Sequence, residues 1–528
     1  MQERLPERKL AWGSNSSPMV DTSGESEKRS KQTRHFDTDH LRADLKGRSV
    51  RSGTVTMVSQ GLRFVINMGS TMVLARLLAP EDFGLIAMTQ SILVFVNIFQ
   101  SMGLSVATVQ REHITHEQVS TLYWINCAAS TCVGILTIAI APLVALLYGE
   151  PRLTAVTMAL SVPMIISGFG SQHGALLTRQ MRFGTEQVVI LFAMIVSIIV
   201  AVVFAKLGHG YWALVYKEIA MTSTIVVCFW LSVRWIPGLP RKGTGVSGML
   251  KFGAFLTGSS FVNQMARNVD NILIGAFAGP VALGLYSKAY NLLLMPIRQI
   301  NMPIGRVAIP SLSRLQNEPQ RFAGFYYKGV EMLVFCGMPI VTFCFVAAED
   351  IVMVVLGEQW TDTVGIFRAL APAAILGTFS VAAGWLFHPL GRTKKELYVT
   401  LVSSTLTIAA FAIGIRWGAM GVAYAYSAAC VLKTVPELSY ATKDSPVSLS
   451  ATLLIPFRPF LACLASGGAL WLAKPLLIPI KSDLLAIIIN LVAFLVCYLV
   501  SILIIPGGRS FLYSSKNTLI ESFLKKKK

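Results

Sequence analysis

Uncharged apolar runs of membrane-spanning length recur along this chain from Thr54 to Ile505, and no other feature restricts its folding as much. Within lipid a backbone has no water to bond, so each run must satisfy its own hydrogen bonds as a helix. Composition agrees: 54% of the 528 residues are apolar and only 14% are charged. The expected fold class is an all-α polytopic membrane protein with about 14 transmembrane helices. The first spans are expected near Thr54–Leu78, Gly84–Val109, Val119–Tyr148, Leu153–Leu177, Glu186–Lys206 and Tyr211–Trp235. A second set follows near Gly248–Phe277, Leu283–Pro310, Phe322–Ala348, Thr363–Phe387, Lys394–Ile415 and Gly418–Tyr440, then two more near Leu453–Leu472 and Leu484–Ile505.

The formal net charge of +19 would suggest nucleic acid in a soluble protein. Here the basic residues gather in the N-terminal tail, in short connectors and in a final Lys-Lys-Lys-Lys, where they orient a membrane protein and meet anionic lipid heads. No nucleic-acid partner is expected. The connectors alternate. Arg111, Arg179 and Arg182, Arg241, Arg314 and Arg321, Arg392 with Lys394 and Lys395, and Lys443 mark one face. Glu81 and Asp82, Glu150, Glu349 and Asp350, and Glu358 and Asp362 mark the other, while Arg416, Lys474 and Lys481 run against this pattern. The positive-inside rule then puts both termini in the cytoplasm. None of the eight cysteines forms a CxxC pair or stands at ligand spacing from histidine, so neither metal nor cofactor is expected.

The stretch from Asn263 to Arg298 holds two apolar segments joined by Gly-Pro, with polar residues set into both. Asn263, Arg267 and Asp270 stack on one helix face, and Lys288, Asn291 and Arg298 form a row on the next. Two hundred residues earlier the layout returns without a gap: Arg63, Asn67 and Ser70 stand where Asn263, Arg267 and Asp270 do, Pro80 matches Pro280, and Gly84 matches Gly284. A displacement of six spans makes the repeat parallel, giving two six-helix lobes that can rock about a central site, plus two C-terminal helices. The divisions expected are a disordered tail at 1–50, lobes at 51–240 and 241–445, two added helices within 446–507, and a basic tail at 508–528.

Polar residues at membrane depth face a bundle interior or a water-filled path. Interhelical hydrogen bonding accounts for the threonines and serines. It accounts less well for arginine, which stays charged and needs an anion or a polar cavity. The candidate substrate-binding set is therefore Arg63, Asn67, Asn263, Arg267, Lys288, Asn291 and Arg298, with Arg76 and Arg306 nearer the interface. Asp270 is either a partner for Arg267 or an ion-coupling site. Lys217, Glu218, Glu331, His173 and His388 are weaker candidates. A cavity walled by such cations suits an anionic amphiphile such as a lipid diphosphate.

The segments LARLLAPEDFGLIAM at 74–88, VDNILIGAFAGPVALGLYSKAYNL at 269–292 and LGEQW at 356–360 resemble the Wzx-type polysaccharide-transport branch of the multidrug/oligosaccharidyl-lipid/polysaccharide flippase superfamily, in the manner of succinoglycan and colanic-acid exporters. The resemblance implies a two-lobed bundle that moves undecaprenyl-diphosphate-linked repeat units across the bacterial inner membrane by alternating access coupled to an ion gradient. It also implies membrane lipids, a polysaccharide polymerase and export proteins as partners. Where relatives often carry arginine after the glycine matching Gly275, this chain has Ala276, and Arg76 takes the equivalent place in the first half. Three other functions are weighed. A drug antiporter of the same superfamily would carry more acid than base in its cavity. A membrane polymerase would need a catalytic loop, and the longest outer one, about Glu349–Asp362, is short. A scaffold would not need paired polar faces.

Overall fold

The computed structural model describes residues 45–101, 104–111, 114–241, 247–473 and 483–509, without the side chains of 45–54, 99–101, 104, 247–267, 379 and 483. Among the described residues the long elements are all helices. The first half contains α1 (Leu45–Leu77), α2 (Pro80–Ser101), the short α3 (Leu104–Gln110), α4 (His116–Tyr148), α5 (Arg152–Arg179), α6 (Phe183–Lys206) and α7 (Trp212–Val233). The second contains α8 (Ser247–Arg314), α9 (Pro319–Val346), the short α10 (Ala348–Val355), α11 (Thr363–Phe387), α12 (Thr393–Gly414) and α13 (Gly418–Thr442). Then come α14 (Leu449–Leu454), α15 (Phe457–Ala473) and α16 (Asp483–Ile504).

Among the described residues, 11 stretches are long and apolar enough to cross a membrane. Two of them, Asn268–Arg314 and Thr393–Thr442, are divided by a break or turn, and α1 occupies the place of the first span. This is the number and order of helices expected for a multi-pass membrane protein. The differences are local. The second span stops at Ser101 and is followed by α3, and the outer loop from Glu349 to Asp362 folds into α10 and a 3-10 turn at Glu358–Trp360.

Local chemistry sets the breaks. Pro80 starts α2, where a missing N–H does no harm, and the Ala79 N–H donates to Asp82 Oδ2 at 2.9 Å. The long α8 bends at Gly279, whose φ of 83° suits glycine, and Pro280 restarts the helix. Thr115 and Gln118 form a capping box on α4, which ends at Gly149 with φ 64°.

The cores reveal how the halves meet. At the end bearing the acidic connectors, one apolar cluster joins Leu85, Leu153 and Leu214 of the first half to Leu283, Trp360 and Phe367 of the second. At the basic end the halves keep separate clusters: Leu122, Leu176 and Trp235 in the first, Leu312, Phe322 and Leu438 in the second. Among the described side chains the lobes thus share a core at the acidic end and keep separate cores at the basic end, where α3 of the first half still runs beside α8 of the second. The last two long helices pack on α9, with the Tyr498 hydroxyl donating to the Phe335 carbonyl at 3.2 Å.

Candidate functional site

Between the lobes lies a cavity of about 990 Å³, bounded by α2 on one side and by α8, α11, α12 and α13 on the other. It brings together four of the residues singled out from sequence: Asp270, Lys288, Asn291 and Arg298. The second half of α8 supplies the last three because they recur every three to seven residues on one face. Lys288 points across the lobe boundary, its Nζ 3.6 Å from the centre of the Phe83 ring on α2. That is a short cation–π contact. Asp270 is buried; its Oδ2 accepts from the Tyr286 hydroxyl at 3.0 Å and its Oδ1 from the Asn271 N–H at 2.8 Å.

The other candidates lie elsewhere. Arg63 does not line this cavity: its guanidinium donates to Gln187 Oε1 on α6 at 2.6 Å. Asn67 is exposed on α1. The side chains of Asn263 and Arg267 lie outside the described residues. Arg76 reaches the second lobe, donating to the Val354 carbonyl at 2.9 Å. His173 bonds the Trp235 carbonyl at 3.1 Å and stacks on Trp230, which fits a structural role. Glu218 lines a smaller cavity of about 380 Å³ that shares Gln90 and Val94 with the larger one.

The cavity also contains polar groups that the sequence reading did not single out. Glu437 on α13 accepts from Ser380 on α11 at 2.7 Å and from Ser403 on α12 at 2.5 Å. One turn earlier, Lys433 donates to Thr407 at 3.4 Å and faces the Tyr426 ring at 6.0 Å. The signal was present in the sequence as Lys433 and Glu437, four apart in an otherwise apolar span. The lining is consequently not purely cationic. Among the described residues, Lys288, Arg298 and Lys433 are matched in number by Asp270, Glu396 and Glu437. The carboxylates are engaged by the protein itself, Glu396 by His388 at 3.3 Å and the other two by hydroxyls.

Above the cavity the LGEQW segment closes the acidic end. The Trp360 indole donates to the Ala75 carbonyl at 2.9 Å, and Gln359 donates to the carbonyls of Ala75 and Leu78. The Ala75 carbonyl lies in the last turn of α1 and that of Leu78 just past its end, where helical partners run out, so the second lobe caps a helix of the first. Trp360 then packs edge-on against Phe83 at 5.5 Å, the ring that holds Lys288.

The chain has relatives. The chain is 27% identical to the teichuronic acid biosynthesis protein TuaB of Bacillus subtilis (strain 168), over 71% of this chain and 78% of that one. It is 24% identical to the lipopolysaccharide biosynthesis protein WzxC of Escherichia coli (strain K12), over 79% and 86%. Its fold is similar to that of the lipid II flippase MurJ in an inward closed conformation, with a TM-score of 0.66 and 15% identity over 86% of this chain and 98% of that one. Residues 73–365, more than half of the chain, match the polysaccharide biosynthesis protein family. That stretch runs from the end of α1 through the LGEQW closure, and the chain belongs to this family.

Proposed function

We propose that this protein is a flippase, not an enzyme, and that it carries lipid-linked saccharide units across the membrane by alternating access. The observation that carries the reading is the cavity itself, with Lys288 and Arg298 on its wall, one core joining the lobes at the acidic end and separate cores at the basic end. Such a chamber admits a polar head from the basic side while the lipid tail stays in the bilayer. Lysine and arginine are both suited to a diphosphate, arginine as a bidentate fork and lysine as a point charge. By the positive-inside rule the basic side is the cytoplasm of a bacterial inner membrane, with both termini there. The two lobes are 51–240 and 241–445, and closure at the basic end with opening at the acidic end would deliver the head outward. Asp270, buried on α8, is the ion-coupling candidate.

The test uses cells lacking the gene. Surface polysaccharide is assayed together with the lipid-linked repeat units of the inner membrane. Loss of polymer with repeat units stranded on the cytoplasmic leaflet is the expected outcome. Units that reach the outer leaflet unpolymerised would favour an enzyme instead. The three carboxylates of the lining favour a second reading, export of a cationic compound by antiport. It would leave both lipid-linked pools unchanged.

A further inference from the structure

The cationic residues of α8 account for one side of the cavity and leave the wall formed by α11, α12 and α13 without a role. That wall has its own chemistry. Glu437 draws the hydroxyls of Ser380 and Ser403 together from two neighbouring helices, so a carboxylate and two hydroxyls meet at one place on the lining. Thr400 and Ser404 add two more hydroxyls on the same lining. Beside them runs an aromatic row: Tyr290 to Tyr426 with ring centres 6.3 Å apart, and Tyr426 to Phe411 at 5.6 Å. All three rings line the cavity.

A carboxylate accepts only, whereas a hydroxyl both donates and accepts. A ligand suited to this wall must therefore offer several hydroxyl groups that can play either role. It must also have an apolar face that lies on aromatic rings, because those rings present a flat apolar body. A simple ion has no such face, and an acyl chain has no hydroxyls. A pyranose ring has both.

We propose that the α11–α13 wall is a glycan-binding subsite, which holds the first sugars of the lipid-linked unit while Lys288 and Arg298 hold its diphosphate. Directed polar groups set beside aromatic rings fix the orientation of a ligand in its pocket. The subsite makes the protein a reader of sugar identity and not only of charge. This inference rests on the flippase reading above.

The test measures the affinity of the purified full-length protein for two probes: bare undecaprenyl diphosphate, and the undecaprenyl-diphosphate-linked repeat unit extracted from the cells that make this protein. The wild type is expected to prefer the glycan-bearing probe. Glu437→Gln is expected to reduce that preference about tenfold, the size of one lost hydrogen bond to a charged group, and Tyr426→Leu, which removes an aromatic face, is expected to reduce it as well. Arg298→Ala should weaken both probes together and keep the ratio. Thr400→Ala and Ser404→Ala, whose hydroxyls take no part in the bonds to Glu437, carry the same test if Glu437→Gln is not inserted. Wall variants that keep the wild-type ratio would overturn the subsite, as would a wild type that binds both probes equally. A wild type that binds neither probe would overturn the flippase reading itself.

Discussion

Gly84 and Pro280 meet with no room for a side chain. A Cβ on Gly84 would fall 1.8 Å from the Pro280 carbonyl oxygen, and a Cβ on Gly284 would fall 2.0 Å from that of Pro80. Each partner is backbone, so neither clash can be relieved by turning a side chain. The pair of contacts is reciprocal, which is what an internal two-fold relation between the repeats requires, and it lies where α2 and the second half of α8 share the joint core. Gly84→Ala forces the helices apart at this crossing, at a cost of about 1–3 kcal/mol to the closed acidic end. The measurement is labelling of a Ser91→Cys reporter by an impermeant maleimide from the acidic side, in a background without native cysteines. Ser91 is buried beside Tyr148 in the present state. Labelling should rise and export fall. Unchanged labelling with full export would show that the crossing does not hold the lobes.

The LGEQW segment supports the same closure from outside. Gln359→Ala removes a donor from the Ala75 and Leu78 carbonyls, and such a loss is worth roughly 1 kcal/mol. Trp360→Ala adds the loss of a fully buried aromatic ring that packs on Phe83, a deletion of roughly 3–5 kcal/mol. The two variants are expected to rank in that order in maleimide labelling of the Ser91→Cys reporter. Equal labelling of both with the unmodified reporter protein would mean that the segment caps a helix without restraining the lobes.

The parts legible in the sequence and the parts hidden from it divide along physical lines. Apolar runs fix where helices lie, because lipid leaves the backbone no other choice. The Pro80 and Pro280 match reveals the repeat, because both prolines start helices that the pattern alone would have placed within a few residues. Side-chain direction was harder to read. Arg63 and Asp270 belong to matching polar faces, yet one turns to Gln187 within its own lobe and the other lines the cavity, because the lobes are not packed alike. The Glu437 cluster depends on three helices that are adjacent only after folding, and serine at membrane depth is too common a packing residue to point to it. The role of LGEQW was hidden for a similar reason: its partners are carbonyls, which leave no trace in residue identity.

Glu150 provides a test at the acidic surface. The Arg152 guanidinium, hydrogen-bonded to Glu150 at 2.7 and 2.9 Å, holds that carboxyl below its usual value of 4.5. A folded-state value below the unfolded one gives stability that is present above the unfolded value and lost as pH falls through the folded one. Thermal stability should therefore decline as the acidic face is taken from neutral pH to well below 4.5. Arg152→Gln should flatten part of that decline. The effect is small, within about 1 kcal/mol, because Arg152 is partly exposed and screened. An identical pH profile in the variant would assign the decline to other carboxylates.

Asp270 separates a structural acid from a coupling one. Its carboxylate accepts from Tyr286, a fully buried residue, so Asp270→Asn can keep that hydrogen bond through its one amide oxygen, at the loss of the Asn271 N–H contact, while removing the charge. Tyr286→Phe does the reverse: it keeps the charge and removes the donor. If the acid only staples the two parts of α8, Asp270→Asn should export nearly as well as the wild type, and Tyr286→Phe should be the more damaging change. If it takes up an ion during the cycle, Asp270→Asn should lose export by about a hundredfold or more, the scale of removing a charged group whose interactions change between states. The protein should still reach the membrane at its normal level. Tyr286→Phe should then keep export and shift only its dependence on the ion gradient. The coupling role is the outcome expected, because a staple has no need of a charge. The readout that decides it is export measured across a series of proton and sodium gradients: Asp270→Asn should respond to neither.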